Sequence, residues 1–138
     1  MQTFLPYPDF TTSARVLDSR RLGRQRVEAY QILRVLSGLT QGWVSHPAVR
    51  MWRGWETALS AYMNAMIEEW VERGYRNRML RIALTGDFEM PPWIGDAAFH
   101  AAHRSNLLRK DPGHYRRFWP HEPDDLPYIW PVGKEIDF

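Results

Sequence analysis

Residues 47–74 read PAVRMWRGWETALSAYMNAMIEEWVERG, and their spacing decides the fold. Pro47 suits the first helical position, where its missing N–H costs nothing. Met51, Trp52, Trp55, Leu59, Tyr62, Met66 and Trp70 then recur every three or four residues, and Gly74 follows as a stop. The pattern predicts one long amphipathic helix over 47–73, the spine of the molecule, with its aromatic stripe assigned to core packing rather than to a ligand platform. Upstream, Asp18 can cap a helix over 19–37 in which Leu22, Ala29, Leu33 and Leu36 keep helical spacing, and Thr11, Thr12 and Ser13 suit a short helical turn before it. Gly23 weakens that helix by on the order of 1 kcal/mol relative to Ala, and its missing side chain lets something pack closely against the turn. Downstream, Asp96 can cap a third helix running to Lys110, and Asp111-Pro112 restarts a short one holding His114 to Phe118. Pro6 and Pro8 make residues 1–10 an extended, docked arm, and the Pro-bounded aromatic stretch Leu126 to Pro131 should lie extended on the helices. The expected fold is all-α: a compact single domain over 1–138 of about three main helices, with an extended N-terminal arm and an irregular aromatic C-terminal tail.

The 138 residues are 44% hydrophobic and 25% charged, enough apolar surface to fold as one unit. The absence of Cys excludes disulfides, thiolate metal sites and cysteine nucleophiles, and no GxGxxG or GxxxxGK[ST] run is present for a dinucleotide or P-loop site. With no apolar stretch of membrane-spanning length and no signal-peptide pattern, the expectation is a cytoplasmic monomer with no membrane partner. The net charge of +2 hides an asymmetry: residues 1–120 carry 17 Lys and Arg against 11 acids, whereas 121–138 carry one Lys against five acids. Sixteen of the 18 basic residues are Arg, which favours forked contacts to phosphate, although the same composition also serves a merely solubilising surface.

Two clusters could carry chemistry. Arg20, Arg21, Arg24 and Arg26 surround the start of the first long helix, and Arg20, Arg24 and Glu28 share a stripe at i, i+4, i+8. Guanidiniums so placed should favour the ionised form of Glu28, and a helix N-terminus also attracts anions; the plainer alternative is a solvated face with a weak Arg24–Glu28 pair. The second cluster, His100, His103, Arg104, Asn106, Arg109, Lys110, His114, Arg116 and Arg117, interleaves with Tyr115, Phe118 and Trp119 in a way that suits a phosphate backbone and an unstacked base. Asp96, His100 and His103 also have a spacing that can ligate a metal, with a hydrogen-bonded core histidine as the default. His46 either caps the helix beginning at Pro47 or presents its ring at an anion site.

The order of these features resembles the pyrimidine-dimer DNA glycosylases of the phage endonuclease V type, in a divergent bacterial branch. The resemblance runs through the short arm, LGRQRVE at 22–28, His46-Pro47-Ala48-Val49, Glu72-Arg73-Gly74-Tyr75, and Asp111-Pro112-Gly113-His114-Tyr115 with the aromatic tail. It implies an all-α enzyme that kinks damaged duplex DNA, exposes a nucleotide and attacks the anomeric carbon with the chain's own α-amine. A Schiff base forms, the base leaves, and strand cleavage by β-elimination can follow, with no metal or organic cofactor. An α-amine, ordinarily titrating at about 7.7–8, suits this chemistry better than a lysine at about 10.4. The resemblance makes the α-amine of Met1 the nucleophile and Glu28 the acid, since Gln2 is too large for ready removal of the first residue. Arg24 and Arg26 become phosphate-binding neighbours, and Arg104 with the 109–117 group the second half of a DNA clamp. Alternatives from other classes are a non-catalytic nucleic-acid or nucleotide-binding module, and an enzyme on free nucleotides in which the acidic tail folds over the basic face.

Overall fold

A computed structural model describes residues 1–84 and 86–134. Among these are six helices and no strand: α1 (Phe10–Val16), α2 (Ser19–Leu36), α3 (Pro47–Trp52), α4 (Glu56–Glu72), α5 (Ala97–Lys110) and α6 (Pro112–Tyr115). Asp9, Asp18, Asp96 and Asp111 each accept a backbone N–H of the first turn of α1, α2, α5 and α6, satisfying a donor that has no partner within the helix. The expected starts of α2 and α5 are thus borne out, as is the short helix before α2.

The single long helix over 47–73 is not. It breaks at Arg53-Gly54-Trp55, where Gly54 takes φ 83°. A β-carbon on Gly54 would lie 2.6 Å from the Lys134 side chain, so the tail occupies the space that a side chain needs. The tail also replaces the hydrogen bonds lost at the break: Gly133 N–H donates to Arg50 O (2.9 Å), Lys134 N–H donates to Arg53 O (2.8 Å), and Lys134 Nζ lies 4.3 Å above the Trp55 ring. The stripe still packs inward. Met51, Trp52, Leu59, Tyr62 and Met66 are buried, and Trp55 and Trp70 are half-buried at the margins of the core.

α2 and α4 form the principal helix pair, with α1 packed on α4. Gly23 permits their close approach, since a β-carbon there would sit 2.8 Å from Trp70 Cζ3. The Trp70 ring has little room to yield: it stacks on Tyr75 at 4.3 Å, carries Arg26 at 4.4 Å, and its Nε1 donates to Arg76 O. Gly23→Ala should therefore destabilise the fold by about 1–3 kcal/mol despite the better helix propensity of Ala. A rise in the urea midpoint would contradict this packing.

The arm is buried from Thr3 to Pro6, so its backbone polar groups need partners, and side chains supply them. Phe4 N–H faces Tyr62 OH (2.9 Å) and Gln25 Oε1 (3.1 Å), and Trp52 Nε1 donates to Thr3 Oγ1 (3.0 Å). Leu5 N–H donates to His103 Nδ1 (3.0 Å), His100 Nδ1 lies 2.8 Å from Leu5 O, and Arg104 donates to Pro6 O (2.8 Å). Residues of α2, α3, α4 and α5 thereby converge on four residues of extended chain and fix where Met1 lies.

Candidate active site

Glu28 lies on α2 one turn beyond Gln25, and the two side chains meet. Fully buried Gln25 has its Oε1 2.6 Å from Tyr62 OH, so its Nε2 turns the other way and donates to Glu28 Oε2 (2.7 Å) and to Gln2 O (3.0 Å). One amide therefore sets the carboxylate and the arm in register. Glu28 is half-buried and lines three adjoining depressions. Its groove of about 440 Å³ runs past Arg20, Gly23, Arg24 and Trp70. A smaller one of about 200 Å³ holds Gln2, Arg21, Arg24 and Lys110, and a third of about 480 Å³ holds Met1, Gln31, Arg34, Thr40 and Trp43.

The environment of Glu28 differs from the sequence expectation. Burial raises its pKa above the ordinary value, outweighing the opposing pull of the α-amine and Arg24. The guanidiniums are close, but loss of water is the stronger influence. The carboxylate is consequently a better base than an exposed glutamate. The positive charge of the α-amine also lowers the pKa of His46, behind the larger effect of burial, so Met1, Glu28 and His46 share one electrostatic neighbourhood. His46 Nδ1 accepts from Ala48 N–H (3.0 Å), which makes it the cap of α3, and its ring lies edge-on to both Trp43 and Trp130.

The first basic cluster divides in two. Arg20 and Arg24 are exposed along the groove, whereas Arg21 pairs with Asp18 (3.1 Å) and Arg26 lies over Trp70 and donates to Asn77 Oδ1 (2.6 Å). Lys110, assigned by its sequence position to the second cluster, projects from the end of α5 to the Glu28 side of the molecule.

The rest of the second cluster, expected to form half of a DNA clamp, makes its polar contacts within the fold, although Arg109 and Arg117 stay exposed. His103 is 1% exposed and holds Leu5. Arg104 pairs with Glu122 (2.8 Å), and Arg109 donates to Asp124 O (2.7 Å) and to the Asn106 side chain. Arg116 donates to Glu122 O (2.7 Å) and lies 3.5 Å from Asp124. His114 Nε2 lies 2.8 Å from Val16 O, and Arg117 Nη2 lies 2.8 Å from His114 Nδ1. The acidic segment after Pro120 thus folds back over Arg104, Arg109 and Arg116, while Arg117 is held only by His114. Asp96 caps α5 while His100 and His103 hold the arm, so the three spend their polar atoms separately.

Burial, with a smaller contribution from His100, pushes the pKa of His103 down to about 3, so the ring is neutral and its Nδ1 can accept from Leu5. An unfolded histidine takes up a proton near 6.5. Between those values the unfolded chain binds more protons, so stability should fall as pH drops from about 6.5 toward 3, at up to about 1.4 kcal/mol per pH unit. Glu28, with its raised pKa, contributes in the opposite sense, gaining stability on acidification. His103→Asn retains an acceptor near Nδ1 without titrating, so urea midpoints at pH 7.5 and 5.5 should converge relative to the native chain. An unchanged pH dependence would remove His103 as its source.

Gln25, Tyr62, Gln31 and Trp43 were not singled out from the sequence. Gln25 stands three residues before Glu28, a spacing that places both on one helix face, whereas Tyr62 was assigned only to packing. The fold and site together define a helical domain that brings a chain-terminal amine and a half-buried carboxylate to one arginine-lined face. The family model for pyrimidine dimer DNA glycosylases matches residues 1–83, more than half of the chain, and the chain belongs to that family. The matched segment contains Met1, Glu28 and the whole of α1 to α4; α5, α6 and the tail lie beyond it. Comparisons with curated proteins and with solved structures returned no match. No described helix is long and apolar enough to cross a membrane.

Proposed function

We propose that this chain is a DNA N-glycosylase acting on damaged or modified pyrimidines in duplex DNA, with abasic-site lyase activity through the α-amine of Met1. The observation that carries it is that Met1 and Glu28 line one cavity, close enough for the amine's charge to influence the carboxyl. The Glu28 carboxylate accepts a proton from the ammonium, and the free amine attacks the anomeric carbon. A carbon–nitrogen bond forms there as the bond to the base breaks, and the proton held by Glu28 passes to the departing base. A second proton moves from the bound amine to the ring oxygen as the sugar opens to a Schiff base. Glu28, a carboxylate again once the base has left, then takes a C2′ proton from that adduct, the electron pair expels the 3′ phosphate, and the strand is cleaved. Arg20, Arg24 and Lys110 supply positive charge along the flanking backbone.

Borohydride reduces such an adduct to a stable link. Incubation with an abasic-site duplex and a UV-irradiated thymine duplex should yield a covalent complex mapping to Met1, and acetylation of the α-amine should abolish it. Salt-sensitive binding without adduct or base release would overturn the catalytic assignment and leave a nucleic-acid-binding module.

A further inference from the structure

Resting on this glycosylase assignment, we infer that Trp43 is a wedge that stacks on a base beside the attacked nucleotide. Trp43 is the one described residue other than glycine with a positive φ, 70°, and its side chain remains 63% exposed. An indole in this left-handed conformation is disfavoured, and burial of the ring does not compensate it. The loop holds it there nonetheless: His46 N–H donates to Trp43 O (3.0 Å), and Arg53 Nη2 donates to Val44 O (3.0 Å).

The place of Trp43 beside the candidate site gives this conformation a use. Trp43 lines the cavity of about 480 Å³ that also holds Met1, Glu28 and Arg34, so it stands at the same opening as the first residue and the carboxylate. Behind it runs a row of aromatic rings, with His46 at 5.7 Å, Trp130 6.4 Å farther on, and Tyr128 stacked on Trp130 at 5.4 Å. Arg34 lines this cavity and lies over the Tyr30 ring, while Arg20 and Arg24 line the adjoining groove on the other side of Glu28; among the described residues none of the three forms an ion pair. An exposed flat ring with one guanidinium in its cavity and two more along the adjoining groove matches a nucleic acid with a broken stack, where base and phosphate are presented together. Reaching an anomeric carbon inside a duplex requires the stack to open, and a ring inserted in the gap reduces the cost of opening it.

The test uses an abasic duplex with 2-aminopurine next to the gap. Saturating native protein and Trp43→Phe should quench its fluorescence, whereas Trp43→Ala should bind and leave it bright. In borohydride trapping, the ratio of duplex to single-strand adduct should fall about ten- to a hundredfold in Trp43→Ala, the range supplied by one base–aromatic stack, and recover in Trp43→Phe. Equal quenching by native protein and Trp43→Ala, or no quenching by bound native protein, overturns the wedge. Quenching that depends on Trp43 without any trapped adduct keeps the wedge and instead removes the amine chemistry.

Discussion

Glu28→Gln should lower single-turnover base release by about two to four orders of magnitude while changing DNA affinity by less than about threefold. The substitution preserves shape, and the new amide oxygen can still accept from Gln25 Nε2, so the arm keeps its register. In the proposed mechanism it removes the group that would take the proton from the amine and pass it to the leaving base. The native enzyme should also lose activity on the acid side as Glu28 becomes protonated. Because burial raises that pKa, the loss should set in above the ordinary glutamate range and be absent from the residual activity of the variant. Base release at the native rate by Glu28→Gln would exclude the carboxylate from the reaction.

Gln25→Leu should produce the next largest effect, on stability and activity together. It removes a fully buried amide whose partners are Gln2 O, Phe4 N–H, Tyr62 OH and Glu28. Each buried group left unpaired costs about 1–3 kcal/mol, so a loss of about 3 kcal/mol or more is expected in urea denaturation. Among molecules that remain folded, the arm and carboxylate lose their common reference. Borohydride trapping should slow by about a hundredfold, as expected when reacting groups are misplaced by about 1 Å. Tyr62→Phe, which spares the Gln25–Glu28 contact, should fall between this variant and the native chain. Trapping at the native rate by folded Gln25→Leu would show that the amine is positioned by other means.

Much of this architecture was legible locally. The caps at Asp18 and Asp96, the proline-bounded arm and the stripe from Met51 to Trp70 each depend on residues within a turn or two of one another. The break at Gly54 was not, because Gly133 and Lys134, almost eighty residues later in the chain, complete the exposed end of α3. The internal partners of the second basic cluster were hidden for a related reason. Arg104 and Arg116 look free along the sequence, and only folding brings Glu122 and Asp124 against them. Lys110 shows the converse, carried by the length of α5 to a carboxylate more than eighty positions earlier. At Glu28 the neighbouring charges were visible in sequence, but the burial that outweighs them depends on how the arm and α2 pack.

The clamp on Leu5 also makes the order of the arm a long-range property. Leu5 is gripped by His100 and His103, some ninety-five residues along the chain, so the arm and α5 should loosen together and not separately. Exchange of the Leu5 amide hydrogen with solvent should therefore track the opening of α5, although the two segments are remote in sequence.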